Sequence, residues 1–141
     1  MRQFHLGIYG LIEKGDELLV VQKSRGPYKG LLDLPGGRPE HGESPLETLK
    51  RELKEEIGIE ATSFTWVDNI AFVHTYPDSN NTLCELYHFA LIYLINDGHI
   101  LRENLSIINE DVNGSVWIQR SKINAQTASP LLVKALEAYE K

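Results

Sequence analysis

The chain is poor in sulfur: its 141 residues include one cysteine, Cys84, and one methionine. A single cysteine excludes an intramolecular disulfide and a cysteine-rich zinc centre. Cys84 falls in an apolar run, where a small buried thiol is expected, and a reducing cytoplasm suits it. No apolar stretch approaches the length that spans a bilayer. The segment Met1-Arg2-Gln3-Phe4-His5 lacks the long apolar core of a signal peptide. Positive charge is scarce too. Fourteen Lys and Arg stand against twenty Asp and Glu, a net charge of −6, which argues against long nucleic-acid partners because these select a basic face. Small phosphorylated ligands stay open, since a bound divalent cation reverses the local field. There are five histidines, none in a metal-ligand spacing such as His-x3-His. No repeat, low-complexity tract or linker-like shift in composition occurs. What is present, 42% hydrophobic and 24% charged residues, is an ordinary soluble composition. One domain over residues 1–141, large enough for its own core, is expected. A homodimer is compatible with such a chain.

Strand and turn signals alternate along the first third. Phe4 to Ile12 and Leu18 to Lys23 are apolar and β-prone, joined by a hairpin connection at Glu13-Lys14-Gly15-Asp16. Ser24 to Gly30 is a polar loop. Leu31 to Leu34 is a short strand, stopped by the breaker Pro35-Gly36-Gly37. A helix follows with both ends written out. Ser44 at the N-cap, Pro45 at the first position and Glu47 three residues after the cap form a capping box, and Gly58 is a natural stop. At ~100° per residue, Leu46, Leu49, Leu53 and Ile57 fall within about 80° of one another, a core-facing stripe. Beyond it, Phe64 to Tyr76 reads as a strand bent near Asp68-Asn69, and Pro77 to Asn81 as a turn. Leu83 to Ile95 is apolar on both faces, as in a central strand covered on both sides. Asn96-Asp97-Gly98 turns the chain, Ser115 to Gln119 is a short strand around Trp117, and Ser129-Pro130 opens a last helix. Its inner stripe is Leu131, Leu132, Ala135, Leu136 and Tyr139. A mixed sheet with helices packed against it accommodates this order.

The chemistry is concentrated on the central helix. Lys50, Arg51 and Lys54, with Glu47 among them, lie on one flank of the leucine stripe, and Glu52, Glu55 and Glu56 lie on the other. Glu52 with Glu56, and Glu52 with Glu55, are like-charge neighbours that repel by roughly 0.2–0.5 kcal/mol per pair. A solvated acidic flank is the bland reading. Against it, Glu52 and Glu56 border the apolar stripe, where uncompensated charge is costly. The Pro-Gly-Gly turn before the helix can also present a backbone carbonyl beside them. Clustered carboxylates with a carbonyl are what a hard cation such as Mg²⁺ or Mn²⁺ requires.

The stretch from Gly37 to Ile59 resembles the Nudix box, Gly-x5-Glu-x7-Arg-Glu-U-x-Glu-Glu-x-Gly-U with U aliphatic. The matching positions are Gly37, Glu43, Arg51, Glu52, Leu53, Glu55, Glu56, Gly58 and Ile59, and none departs from the pattern. From average residue frequencies a chance match is on the order of one in ten million. The lead-in Leu34-Pro35-Gly36-Gly37 is also usual, although Leu32 stands where the family often has Trp. The resemblance implies an α/β/α sandwich with a mixed β-sheet. It also implies Mg²⁺-dependent hydrolysis, with Mn²⁺ a substitute, of a nucleoside diphosphate linked to another group. On the same grounds Glu52, Glu55 and Glu56 are expected to hold the divalent ion, with a carbonyl of Gly36 or Gly37. Glu43 is expected to pair with Arg51, whose planar fork can grip a carboxylate with two hydrogen bonds.

Water attack on phosphorus needs a base. Glu55 is one candidate. Glu110 and Asp111 are others, because the family often supplies an acidic group shortly before the Trp-bearing strand. Lys23, Arg25 and Lys29 lead into the site and are candidates for phosphate, Arg25 first for its fork geometry. His41 lies within the box loop, at a position that varies in the family. His74 and Tyr76 can line a base or sugar pocket, while core packing is the ordinary role of such aromatics. The substrate class is a small nucleotide: a nucleoside triphosphate, or a dinucleoside or sugar diphosphate. Scavenging of ordinary nucleotides, removal of oxidised ones and trimming of RNA 5′ ends all fit, the last least well given the acidic charge. A nucleotide-sensing domain without turnover is the alternative, and the intact carboxylate set argues against it. A plain structural domain with an acidic helix is the third reading, which the chance estimate makes remote.

Overall fold

A computed structural model describes residues 1–97 and 106–141. The long strands carry the alternation that puts one row of side chains on each face of a sheet. In β1 (Arg2–Leu11), Ile8 packs on one side and Tyr9 and Leu11 on the other. β3 (Glu17–Lys23) divides in the same way, Leu19 and Val21 against Leu18 and Val20. Among the described residues the strands fall into two four-stranded sheets. One has the order β5-β1-β7-β6, built with β5 (Gly36–Gly37), β6 (Phe64–Pro77) and β7 (Leu83–Ile95). The other groups β2 (Glu13–Lys14), β3 and β4 (Leu32–Asp33), with β8 (Val112–Gln119) paired to β3. β1 runs parallel to β7 from Arg2↔Glu85 to Leu11↔Leu94, which makes the first sheet mixed.

Because β1 and β3 each feed both cores, the two sheets form a single layer between two helices. Helix α1 (Pro45–Ile57) closes one side through Leu49, Leu53 and Ile57. Helix α2 (Pro130–Tyr139) closes the other through Leu131, Leu132, Ala135 and Leu136. The fold is the expected α/β/α arrangement of a mixed sheet and two helices. Both helices start where the capping residues place them: Ser44 Oγ accepts from Glu47 N, and Ser129 Oγ from Leu132 N. Gly58 ends α1 in the left-handed region at φ 70°.

Three local expectations need correction. Pro35-Gly36-Gly37 does not simply break the chain, because Gly36 and Gly37 pair with Tyr9 and Ile8 as β5. That approach requires glycine: at φ 145°, a Cβ on Gly36 would lie 2.1 Å from the Ile8 carbonyl oxygen. β7 is central in its sheet but is not covered along its whole length. Helix α1 reaches only its Leu91–Ile95 end, so Leu83 and Tyr87 stay exposed. On α1, Leu46 is only half-buried, while Glu56 is drawn into the interior. The bend in β6 is a register shift between Trp66 and Asp68. Gly98, expected in the turn after β7, lies outside the described residues.

Candidate active site

A cleft of about 920 Å³ opens between the start of β1, the loop after β3, the Gly36–Glu40 segment and one flank of α1. At one end stands the charge cluster of α1. Arg51 donates from Nε to Glu43 Oε2 at 2.8 Å and from Nη2 to Glu43 Oε1 at 2.9 Å, the two-pronged grip of a guanidinium on a carboxylate. Nη2 also reaches the Arg38 carbonyl at 3.1 Å, tying the loop to the helix. Nη1 donates to Glu52 Oε1 at 2.8 Å and touches Glu55 Oε2 at 3.4 Å. The hydrogen bonds from Arg51 hold the Glu43 carboxyl down at about 2, well below the usual carboxylate range.

Glu52 and Glu56 are in the opposite condition. Glu56 is 3% exposed and accepts one hydrogen bond, from Gly36 N at 2.8 Å. Burial drives its proton affinity well up, and the neighbouring Glu52 charge adds to this. Glu52 is shifted up for the same leading reason, burial, against the pull of Arg51. Gly37 gives Glu52 its room, because a Cβ there would lie 2.7 Å from the Glu52 carboxyl carbon. Two half-compensated carboxylates beside a glycine backbone are a setting that a hard cation would relieve. The donor set therefore fits a divalent ion in type. Among the described residues no three such side chains converge closely enough to hold one as they stand. Glu52 leans on Arg51, and Glu55, 54% exposed, is turned toward the same guanidinium.

The remaining sequence candidates separate. Lys23 lines the cleft and has no ion-pair partner among the described residues. Arg25 is not free: its Nε donates to Asp111 Oδ1 at 2.5 Å, and its Nη1 lies 3.3 Å from Glu110. Expected phosphate ligand and expected bases thus neutralise one another, pinning the loop after β3 to the segment before β8. Asp111 borders the cleft, whereas Glu110 is outside it and 84% exposed on its side chain. Lys29 is exposed and outside the cleft, as is His41. Tyr76 lines it, with its hydroxyl donating to Gln3 Oε1 at 2.5 Å.

Sequence reasoning missed the other end of the cleft. Tyr9, Tyr28, Asp33 and His88 line it and are all at most 4% exposed. Asp33 is placed by the contact of β4 with the start of α2. Its Oδ1 accepts from Ser129 Oγ at 2.6 Å and from Leu34 N at 2.9 Å, while burial raises its carboxyl to about 6. The available signal was a histidine, His88, between the apolar inward positions Leu86 and Ala90 of β7.

The NUDIX domain family model covers residues 1–137. The chain belongs to the NUDIX family. It is 34% identical over 83 residues to an 8-oxo-dGTP diphosphatase of Proteus vulgaris, covering 58% of this chain and 72% of that protein. It is 31% identical over 140 residues to the nucleoside triphosphatase NudI of Escherichia coli, covering 92% of this chain and 89% of the relative. Among solved structures, a MutT NUDIX hydrolase from Burkholderia pseudomallei superposes with a TM-score of 0.76 at 20% identity, over 96% of this chain and 98% of that one. This NUDIX hydrolase thus shares its fold with distant members and its sequence with enzymes named for nucleotide cleavage.

Proposed function

We propose that this NUDIX hydrolase cleaves the diphosphate linkage of a small nucleotide, a nucleoside triphosphate or a nucleoside diphosphate joined to another group, with Mg²⁺ as its ion. The observation that carries the reading is the pair Glu52 and Glu56, one partly buried and the other buried at the wall of a nucleotide-sized cleft, with their charges only half compensated. NudI-like and 8-oxo-dGTP-cleaving relatives support a triphosphate first. No helix among the described residues is long and apolar enough to cross a membrane, and the buried free thiol of Cys84 suits a reducing cytoplasm.

Glu52, Glu55 and Glu56, with a carbonyl of Gly36 or Gly37, would hold the divalent ion, which supplies neutralisation of phosphate oxygens and acidification of a water. The Gly36 N–H fixes one oxygen of Glu56 and leaves the other to the cleft side. Arg51 holds Glu52 and braces the loop through Glu43, so the wall keeps its shape as the anionic substrate enters. Of the three cations expected to meet phosphate oxygens, Lys23 is the one that lines the cleft without an ion-pair partner among the described residues. As water oxygen bonds to phosphorus, the bridging P–O bond breaks and its electron pair leaves with the departing phosphate group. Glu55 takes the water's proton: it stands beside the lining of the cleft, exposed and held only by a 3.4 Å contact, whereas Asp111, in the lining, is engaged by Arg25.

The test is release of phosphate and pyrophosphate from a nucleotide panel with Mg²⁺, with Mn²⁺ and with chelator, beside Glu56→Gln. Metal-dependent release that disappears in the variant is the expected result. Tight nucleotide binding without turnover across the panel would replace this reading with a nucleotide sensor.

A further inference from the structure

A chain of hydrogen bonds crosses the floor of the cleft, and the chemistry of its first member sets its direction. Arg38 Nη2 lies 3.4 Å from His5 Nδ1; His5 Nε2 lies 3.2 Å from the Tyr9 hydroxyl; Tyr9 meets His88 Nε2 at 2.8 Å; and His88 Nδ1 meets the Tyr28 hydroxyl at 2.8 Å. Burial lowers His88 to about 3 and His5 to about 4, so both rings are neutral near pH 7, each with one N–H and one bare nitrogen. A guanidinium only donates. His5 Nδ1 facing Arg38 must therefore be bare, which puts the His5 proton on Nε2, pointing at Tyr9. Tyr9 then donates to His88 Nε2, and His88 Nδ1–H donates to Tyr28. The last hydroxyl has received a hydrogen bond and still has its own proton to give. Among the described residues it has no acceptor to give it to.

Asp33 lines the same end of the cleft as Tyr28. Both hydrogen bonds to Asp33 go to Oδ1, and Oδ2 has no partner among the described residues. It is not among the sealed, unpaired atoms of the interior, and Asp33 lines the cleft. The deep end thus offers both a donor and an acceptor, in a cleft also lined by Tyr9, Tyr76 and His88. We infer that Tyr28 and Asp33 determine substrate specificity: the Tyr28 hydroxyl donates to an acceptor, and Asp33 Oδ2 accepts from a neighbouring N–H, on a planar heterocycle. An edge with acceptor next to N–H is that of a nucleobase, and the inference deepens the nucleotide reading on which it rests. Arg38, His5, Tyr9 and His88 are positioning residues, which act by keeping the Tyr28 proton free.

The first test needs no turnover. Nitrogen NMR of histidine-labelled full-length protein at neutral pH, assigned with His5→Gln and His88→Gln, reads the tautomers directly. His88 is expected to be protonated at Nδ1 and His5 at Nε2. The reverse arrangement at His88 overturns the inference, since Tyr28 would then be spending its proton on the ring. The second test is Tyr28→Phe. Loss of one neutral hydrogen bond predicts a rise in nucleotide KM, or in Kd measured with chelator, of roughly 2- to 12-fold. The rise should exceed any fall in kcat and should be larger for nucleotides than for base-free tripolyphosphate, the pattern of lost uniform binding. Equal losses on tripolyphosphate, or a fall in kcat at constant KM, count against it. Asp33→Asn turns an acceptor into a group that can donate and is expected to reorder ATP, CTP, GTP and UTP by Kd; an unchanged order removes Asp33 from the proposal. A protein that binds nucleotides with the expected tautomers but releases no phosphate would refute the hydrolase reading alone.

Discussion

At one end of the cleft Glu43 is gripped by two nitrogens of Arg51 and held at about 2; at the other, Asp33 is buried and raised to about 6. The two carboxyls are treated oppositely because they serve different needs. Glu43 is a brace, fully compensated by a cation. Asp33 has one oxygen satisfied by Ser129 and Leu34 and the other left for a partner. Glu52 and Glu56 resemble Asp33 in being desolvated without full compensation, although they sit beside the brace. In this protein the groups proposed to act on substrate are undercompensated, and those that hold the walls are saturated. The comparison can be broken by experiment.

The largest effect is expected from Glu56→Gln. Metal-dependent turnover should fall by about 10²–10³-fold, the scale for removing one preorganised electrostatic contributor. Stability should not fall, since a neutral amide removes the cost of burying a charge and its oxygen can still accept from Gly36 N. A variant that is both active and less stable would place Glu56 with the braces. Next come the adjacent glycines. Gly36→Ala forces a Cβ onto backbone at φ 145° and should cost at least about 3 kcal/mol by chemical denaturation. Gly37→Ala meets only the carboxylate of a flexible side chain. It should leave the melting temperature nearly unchanged and weaken metal affinity by about 10–100-fold, as a misplaced ligand does. Equal thermal losses in the two would mean that Gly37 serves β5 rather than Glu52.

The charged end was legible in the sequence because its determinants are local. Ser44, Glu47 and Gly58 fix the ends of α1, and the helix period then places Arg51, Glu52 and Glu56 relative to the apolar stripe. How deeply Glu56 sinks was not legible, because that depends on β5 approaching β1 through Gly36. Arg25 was read as a phosphate ligand since its acidic partners are 85 and 86 residues away. The floor was illegible for the same reason. His5 and Tyr9, Tyr28, and His88 come from three separate segments and are brought together by the β1–β7 pairing and the loop after β3. No local spacing announces a relay of that kind.

A smaller effect is expected from Arg51→Lys. The ammonium keeps the charge and loses the fork, so one or two of the bonds to Glu43, Glu52 and the Arg38 carbonyl disappear. Stability should fall by about 1–2 kcal/mol, a drop of roughly 3–6 °C in melting temperature for a chain of this size. The deep end should be untouched, so the Kd for a nucleoside without phosphates should not change. If it does change, the two ends are mechanically coupled.

The smallest effect is a pair of opposite pH slopes in the stability of the metal-free protein. Glu43 is lowered from 4.5 to about 2. Its contribution is present above pH 4.5 and is lost as pH falls toward 2, because the unfolded chain binds the proton first. Asp33 is raised from 3.8 to about 6. Here the folded state holds the proton more tightly, so the contribution is complete below pH 3.8 and fades as pH rises through 6. Denaturation midpoints measured from pH 3 to 7 for wild type, Glu43→Gln and Asp33→Asn separate the two. Glu43→Gln should flatten the acid limb and leave the upper one. Asp33→Asn should make the decline between about pH 4 and 6 shallower, Glu52 and Glu56, which are also raised, carrying what remains. An upper limb left unchanged in Asp33→Asn would assign the whole decline to Glu52 and Glu56. In that case Asp33 is already compensated in the free protein, and the contrast between the two ends of the cleft fails at the residue that best expresses it.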